Sequence, residues 1–77
     1  SGIERIELLM AQFRFTRREA EIMDLIMEGL TNEEIAERLF VSTNTVKFHI
    51  KNIYLKLDVK NRVQALRKAS AEENPAV

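Results

Sequence analysis

Cysteine is absent from the 77-residue chain, which excludes disulfides and thiolate metal sites and fits a protein of the reducing cytoplasm. No stretch approaches the roughly eighteen consecutive apolar residues that a membrane helix requires, and no basic-then-apolar leader opens the sequence. Internal repeats and low-complexity segments are missing as well. Nor is there a nucleophile paired with a base, a phosphate-binding loop or a cluster of metal ligands, so no enzyme chemistry, cofactor or metal is expected. What remains is 45% hydrophobic and 31% charged, ordinary globular material for one small domain. At this length a core is near the lower limit that holds without a staple, and it must come from helix packing.

The formal net charge is zero, but the charges are unevenly placed. Residues 1–44 carry nine acids and five bases. Residues 45–68 carry seven bases, namely Lys47, Lys51, Lys56, Lys60, Arg62, Arg67 and Lys68, against Asp58 alone. A concentrated basic segment can neutralise phosphates and release counterions although the whole chain is neutral. The competing reading is a solvated, lysine-rich helix face.

Ser1 and Gly2 read as a tag remnant, and Ile3, Ile6, Met10 and Phe13 allow a helical stripe in what is expected to be a linker or short helix within 1–14. Thr16 and Glu19 are spaced as a capping box, so a helix should start there, with Phe15 stapled onto its first turn. Ile22, Leu25 and Ile26 supply its inward face, Met23 widens it, and Gly29 suits the left-handed residue that ends it. The same box recurs at Thr31 and Glu34, opening a helix of about two turns with Ile35, Ala36 and Leu39 on one side. The small side chain of Ala36 lets another helix cross closely. After a turn at Phe40 and Val41, Ser42 caps a longer helix reaching about Leu57, where Asp58 takes the place of a left-handed terminator. A last helix spans about 61–71, with Val63, Leu66 and Ala69 at helical spacing and Ala65 beside them. The folded domain is thus expected over 15–71, and 72–77, with Pro75, should fray.

The helix after Ser42 can be projected at roughly 100° per residue. Val46, Ile50, Ile53 and Leu57 then share a wedge of about 60°, which is the buried side. Asn44, Phe48, Lys51 and Leu55 lie opposite, Lys47 and Asn52 flank them, and Thr45, His49 and Lys56 occupy one shoulder. An outward face that mixes amide, aromatic and ammonium groups suits a DNA groove better than bulk water, which has little use for Phe48.

These segments resemble the output domain of the LuxR/FixJ class of bacterial transcription regulators, also called the NarL class. The likeness is carried by F-T-R-R-E at 15–19, G-L-T-N-E-E-I-A at 29–36, L-F-V-S at 39–42, T-V-K-F-H-I at 45–50 and N-I-Y-L-K-L-D-V-K-N-R at 52–62. Phe15 stands where that class has Leu, and Asp58 where it has Gly. The resemblance implies an all-α fold, a four-helix bundle containing a helix-turn-helix, with room for an extra N-terminal linker helix. It implies that Thr43–Leu57 enters the major groove of double-stranded DNA, with Lys47, Phe48, Lys51 and Asn44 reading bases and Asn32, Ser42, Thr45 and His49 on phosphates. It also implies a homodimer through the last helix, using Arg62, Val63, Leu66 and Arg67, on a two-fold symmetric operator. A sensor domain would precede this segment, RNA polymerase is a further partner to expect, and the location would be the cytoplasm, at the nucleoid, with no membrane contact.

Plainer readings stand beside these. His49, the only histidine, has no second ligand at metal spacing and suits an ordinary boundary position. Glu19 is explained by capping, or by an ion pair with an arginine such as Arg62. Met23 and Met27 fit core and rim, and Glu33, Glu34 and Glu37 a solvated face. Leu55 fits either a sugar-phosphate edge or contact with another domain. Two other whole-chain readings remain open: a sigma-factor-like promoter-reading helix-turn-helix, and a helical protein-interaction module that binds no nucleic acid.

Overall fold

A computed structural model describes residues 2–73. It contains five helices: α1 (Ile3–Phe13), α2 (Arg17–Met27), α3 (Asn32–Leu39), α4 (Thr43–Leu57) and α5 (Arg62–Glu73). The fold is all-α. Of the expected frayed tail, 72 and 73 belong to α5, and 74–77 lie outside the described residues.

The starts of α2, α3 and α4 are in place for the expected reason. The Thr16 hydroxyl accepts from the Glu19 N–H at 3.1 Å, and the Glu19 carboxylate accepts from the Thr16 N–H at 2.9 Å. Thr31 and Glu34 repeat the exchange at 3.1 and 2.8 Å. Ser42 accepts from the Thr45 N–H at 3.1 Å. At α5 the Asn61 side chain accepts from the Gln64 N–H at 2.9 Å, a cap that the sequence reading did not single out.

The ends of α2, α3 and α4 share one device. Gly29 (φ 95°), Phe40 (φ 59°) and Asp58 (φ 58°) are left-handed, and each is followed by an apolar residue, Leu30, Val41 or Val59, that is half-buried against the core. The N–H of that residue reaches back to the carbonyl five positions earlier, Leu30 to Leu25 at 3.1 Å, Val41 to Ala36 at 3.0 Å and Val59 to Tyr54 at 3.0 Å. This closes the orphan carbonyls of the last turn while an apolar side chain folds under it. Glycine reaches that conformation without strain; for Phe40 it costs about 1–2 kcal/mol, and the Val41 anchor offsets it. The expected turn at 40–41 is therefore a helix cap built on a left-handed phenylalanine.

The core runs through Ile22, Met23 and Ile26 of α2, Ile35 of α3, and Val46, Ile53 and Leu57 of α4, all fully buried. Ala36 is buried where α3 and α4 pack, as its small side chain led us to expect. Ala65 and Ala69 face inward from α5. Val63, at helical spacing with Leu66 and Ala69, is 57% exposed, because the buried stripe of α5 is centred on the two alanines.

α1 packs along α2. Its inward stripe is Ile6, Leu9, Met10 and Phe13, and Leu9 is buried. The stripe at 3, 6, 10 and 13 is corrected here: Ile3 is 71% exposed, about 70° off the centre of the buried face at 100° per residue. Phe15 is buried, its ring 5.4 Å from that of Phe13. Arg5 pairs with the buried Asp24 at 3.4 Å. Burial raises the Asp24 pKa and the nearby Glu28 adds to that, while Arg5 opposes it.

Thr31→Ala should lower the unfolding free energy by about 0.5–2 kcal/mol, read as an earlier denaturant midpoint. A midpoint equal to the parent's would mean that α3 does not depend on its cap.

Candidate nucleic-acid interface

α3, the turn at 40–42 and α4 form the helix-turn-helix. The buried wedge of α4 fixes its rotation. With Val46, Ile50, Ile53 and Leu57 inside, the same helix turns Asn44, Lys47, Phe48 and Lys51 to solvent. Phe48 is 61% exposed and places an apolar ring among these polar groups. Its ring meets His49 edge-on at 5.5 Å. Leu55 continues this exposed face toward the end of α4.

A trough beside that face is lined by Lys47, Lys51 and Lys60, with Ile50, Tyr54 and Leu55 among its apolar walls. Such a surface can oppose phosphate charge while leaving apolar groups for base or sugar edges.

The shoulder is built from hydroxyls. Besides capping α4, the Ser42 Oγ donates to the Thr45 Oγ1 at 3.0 Å. A hydroxyl that accepts in this way keeps its own proton to donate, so Thr45 retains a donor. His49 and Asn32 are both half-buried, Asn32 as the first residue of α3. The first N–H groups of a helix lack intrahelical acceptors, so this end of α3 presents donors of its own.

The basic segment divides by side-chain direction. Lys56 turns away from the reading face: its Nζ donates to the Glu19 carboxylate at 2.6 Å and to the Arg14 carbonyl at 3.1 Å. Glu19 caps α2 as expected, and the ion pair offered as the alternative is corrected: its partner is Lys56 rather than an arginine such as Arg62. Lys56 sits beside the buried wedge, and a long stem at a helix boundary can lie along the core and carry its charge to a neighbouring helix. Arg62 instead donates to the Leu30 carbonyl. On α5, Val63 and Arg67 are exposed one turn apart and Leu66 is half-buried.

Burial alone would push the Glu19 carboxyl up, but its bonds to Lys56 and to Thr16, with the Lys56 charge, outweigh that and hold it below the ordinary 4.5. A carboxylate with a depressed folded pKa contributes stability above its unfolded pKa and loses it as pH falls through the folded one. Glu19→Gln should therefore be less stable than the parent at neutral pH, and the gap should close below pH 4.5. Urea midpoints of both proteins across that range test this; a gap that stays constant on acidification would contradict it.

The sequence matches the family described as bacterial regulatory proteins, luxR family, over residues 14–69. It is 60% identical over 50 residues to the transcriptional regulatory protein LiaR of Bacillus subtilis, covering 65% of this chain and 24% of that protein. Against the CsgBAC operon transcriptional regulatory protein of Escherichia coli it is 51% identical over 51 residues, 66% of this chain and 24% of that one. Against the transcriptional regulatory protein DegU of Brevibacillus brevis the figures are 38% over 65 residues, 84% and 28%. The chain spans about a quarter of the length of these relatives.

Proposed function

The chain belongs to the luxR family of bacterial regulatory proteins, and on that premise we propose that it binds double-stranded DNA sequence-specifically as the output domain of a transcription regulator. The carrying observation is the rotation of α4, which hides Val46, Ile50, Ile53 and Leu57 and turns Asn44, Lys47, Phe48 and Lys51 outward.

In this reading α4 lies in the major groove. The ammonium groups of Lys47 and Lys51 donate to guanine O6 or N7, the Phe48 ring lies against a thymine methyl, and Asn44 pairs with a base edge or a neighbouring phosphate. Thr45, His49, Ser42 and Asn32 hold phosphates from the shoulder, with the N-terminus of α3 adding its partial positive charge. The acidic remainder of the chain keeps non-specific attraction low and orients the basic side toward the duplex. Val63, Leu66 and Arg67 of α5 face a second copy, and the pair reads half-sites related by a two-fold axis. RNA polymerase is the further partner we propose for the whole regulator, acting in the cytoplasm at the nucleoid.

Selection of duplexes from a random pool tests this reading. It should return one preferred site with inverted symmetry, bound with an affinity that falls steeply with salt. An unenriched pool and salt-independent association would rule it out in favour of a protein-interaction module. Thr45→Ala should weaken binding to the selected site and to unrelated duplexes alike, by about 1 kcal/mol; a loss confined to the selected site would move Thr45 from phosphate to base.

A further inference from the structure

The basic residue that opens α5 is turned into its own chain. Arg62 is half-buried, and its Nη2 donates to the carbonyl of Leu30, in the turn between α2 and α3. The groove it occupies is lined by turn residues 29–33 together with Tyr54 of α4. Burial pushes the Tyr54 hydroxyl up, and the nearby Arg62 charge opposes that shift. One guanidinium therefore brings together the start of α5, the Tyr54 flank of α4 and the turn that leads into α3.

The bonds within that turn are local. The Gly29 N–H reaches the Ile26 carbonyl at 3.0 Å, the Leu30 N–H reaches Leu25 at 3.1 Å, and Thr31 exchanges bonds with Glu34. They fix the shape of the turn and say nothing about its height relative to α4. The Leu30 carbonyl immediately precedes Thr31 and Asn32, so a cation that grips it adds to the packing of Ile35 and Ala36 in setting where the first turn of α3 lies.

We propose that Arg62 is a positioning residue for DNA binding, whose bond to the Leu30 carbonyl holds the phosphate-facing first turn of α3 in register with α4. The inference rests on the DNA-binding reading above. Two anchors on one duplex, α4 in the groove and the α3 amides on the backbone, act together only if the distance between them is fixed, because hydrogen bonds weaken steeply when misaligned. Arginine suits this role because it stays charged and its planar fork loses little freedom per bond formed. Val63, Leu66 and Arg67 remain for a partner subunit, and Arg62 serves its own.

Three roles compete for this residue, and one set of measurements separates them. The parent, Arg62→Ala and Arg62→Lys are titrated with the selected duplex and with an unrelated one over a salt series. Each protein alone is also followed by sedimentation and by amide hydrogen exchange. Arg62→Ala should lose about tenfold in affinity for both duplexes, with its sequence preference, its slope of log affinity on log salt and its sedimentation unchanged. The lysine, offering one donor group in place of a fork, should recover part of the loss. Exchange should quicken at 30–34 and stay at the parent's rate in the buried turns of α4, which a general loss of stability would not allow.

A salt slope shallower by about 0.9, restored by lysine, would make Arg62 a direct phosphate contact and overturn the proposal. Loss of self-association in Arg62→Ala, or unaltered exchange at 30–34, would overturn it equally. If the parent itself shows no salt-dependent binding to either duplex, the DNA-binding reading falls and takes this role with it. If the parent binds and Arg62→Ala binds as tightly, only the role falls.

Discussion

Ile53→Ala should lower the unfolding free energy by about 2–5 kcal/mol and abolish DNA binding through loss of the fold rather than loss of a contact. Ile53 is fully buried at the centre of α4, within the cluster that also holds Ile22, Ile26 and Ile35. Cutting it back to a methyl removes apolar contact within that cluster and leaves a cavity that helices cannot readily close. A domain of this length has roughly 4–12 kcal/mol of stability to lose, so the change takes a large part of it. Far-UV circular dichroism through a urea series would show the midpoint shift directly. Any binding that survives at low temperature should keep the parent's sequence preference, because no base contact has changed. An unshifted midpoint would mean that α4 is not held by this wedge, and the rotation assigned to its outward face would lose its support.

That rotation was legible in the sequence because it depends on one helix alone. The positions 46, 50, 53 and 57 cannot share a face unless 44, 48 and 51 share the opposite one. Helix starts were legible for a similar reason: a cap needs only residues three apart, and Thr16, Thr31 and Ser42 each have the right partner at that distance. Gly29 and Asp58 could be assigned to the left-handed region from their own chemistry.

What escaped the sequence depends on two elements meeting. Glu19 has several cations it could pair with, and only the packing of α4 on α2 selects Lys56 over Arg62. The bond from Arg62 to the Leu30 carbonyl has no sequence signal, since its acceptor is backbone. The rotation of α1 followed from which side α2 covers, which moved the buried stripe onto Leu9 and left Ile3 outside. Phe40 escaped for another reason. Its left-handed backbone is unusual for an aromatic residue, and the side chain is 94% exposed, so neither propensity nor hydrophobicity indicates the cap that it forms.

Lys47→Ala and Lys51→Ala should each weaken binding to the preferred site by about 1–3 kcal/mol, and each should relax preference at a different base pair. Four residues of helix advance about 6 Å, and base pairs stack about 3.4 Å apart, so the two ammonium groups meet bases roughly two steps apart. Selection with each variant should therefore blur separate positions of the recovered site. Stability should hardly move: both side chains are exposed, surface changes of this kind stay within about 0.5 kcal/mol, and removing one of two like charges one turn apart relieves a small repulsion. Lost affinity at unchanged urea midpoint is the pattern that distinguishes these lysines from Ile53, where the two fall together. It also distinguishes them from Lys56, whose charge is engaged with Glu19 and whose removal should lower the midpoint with no change in base preference. If Lys51→Ala recovered the parent's site with the parent's affinity, the base-reading surface would have to be sought on another face of α4.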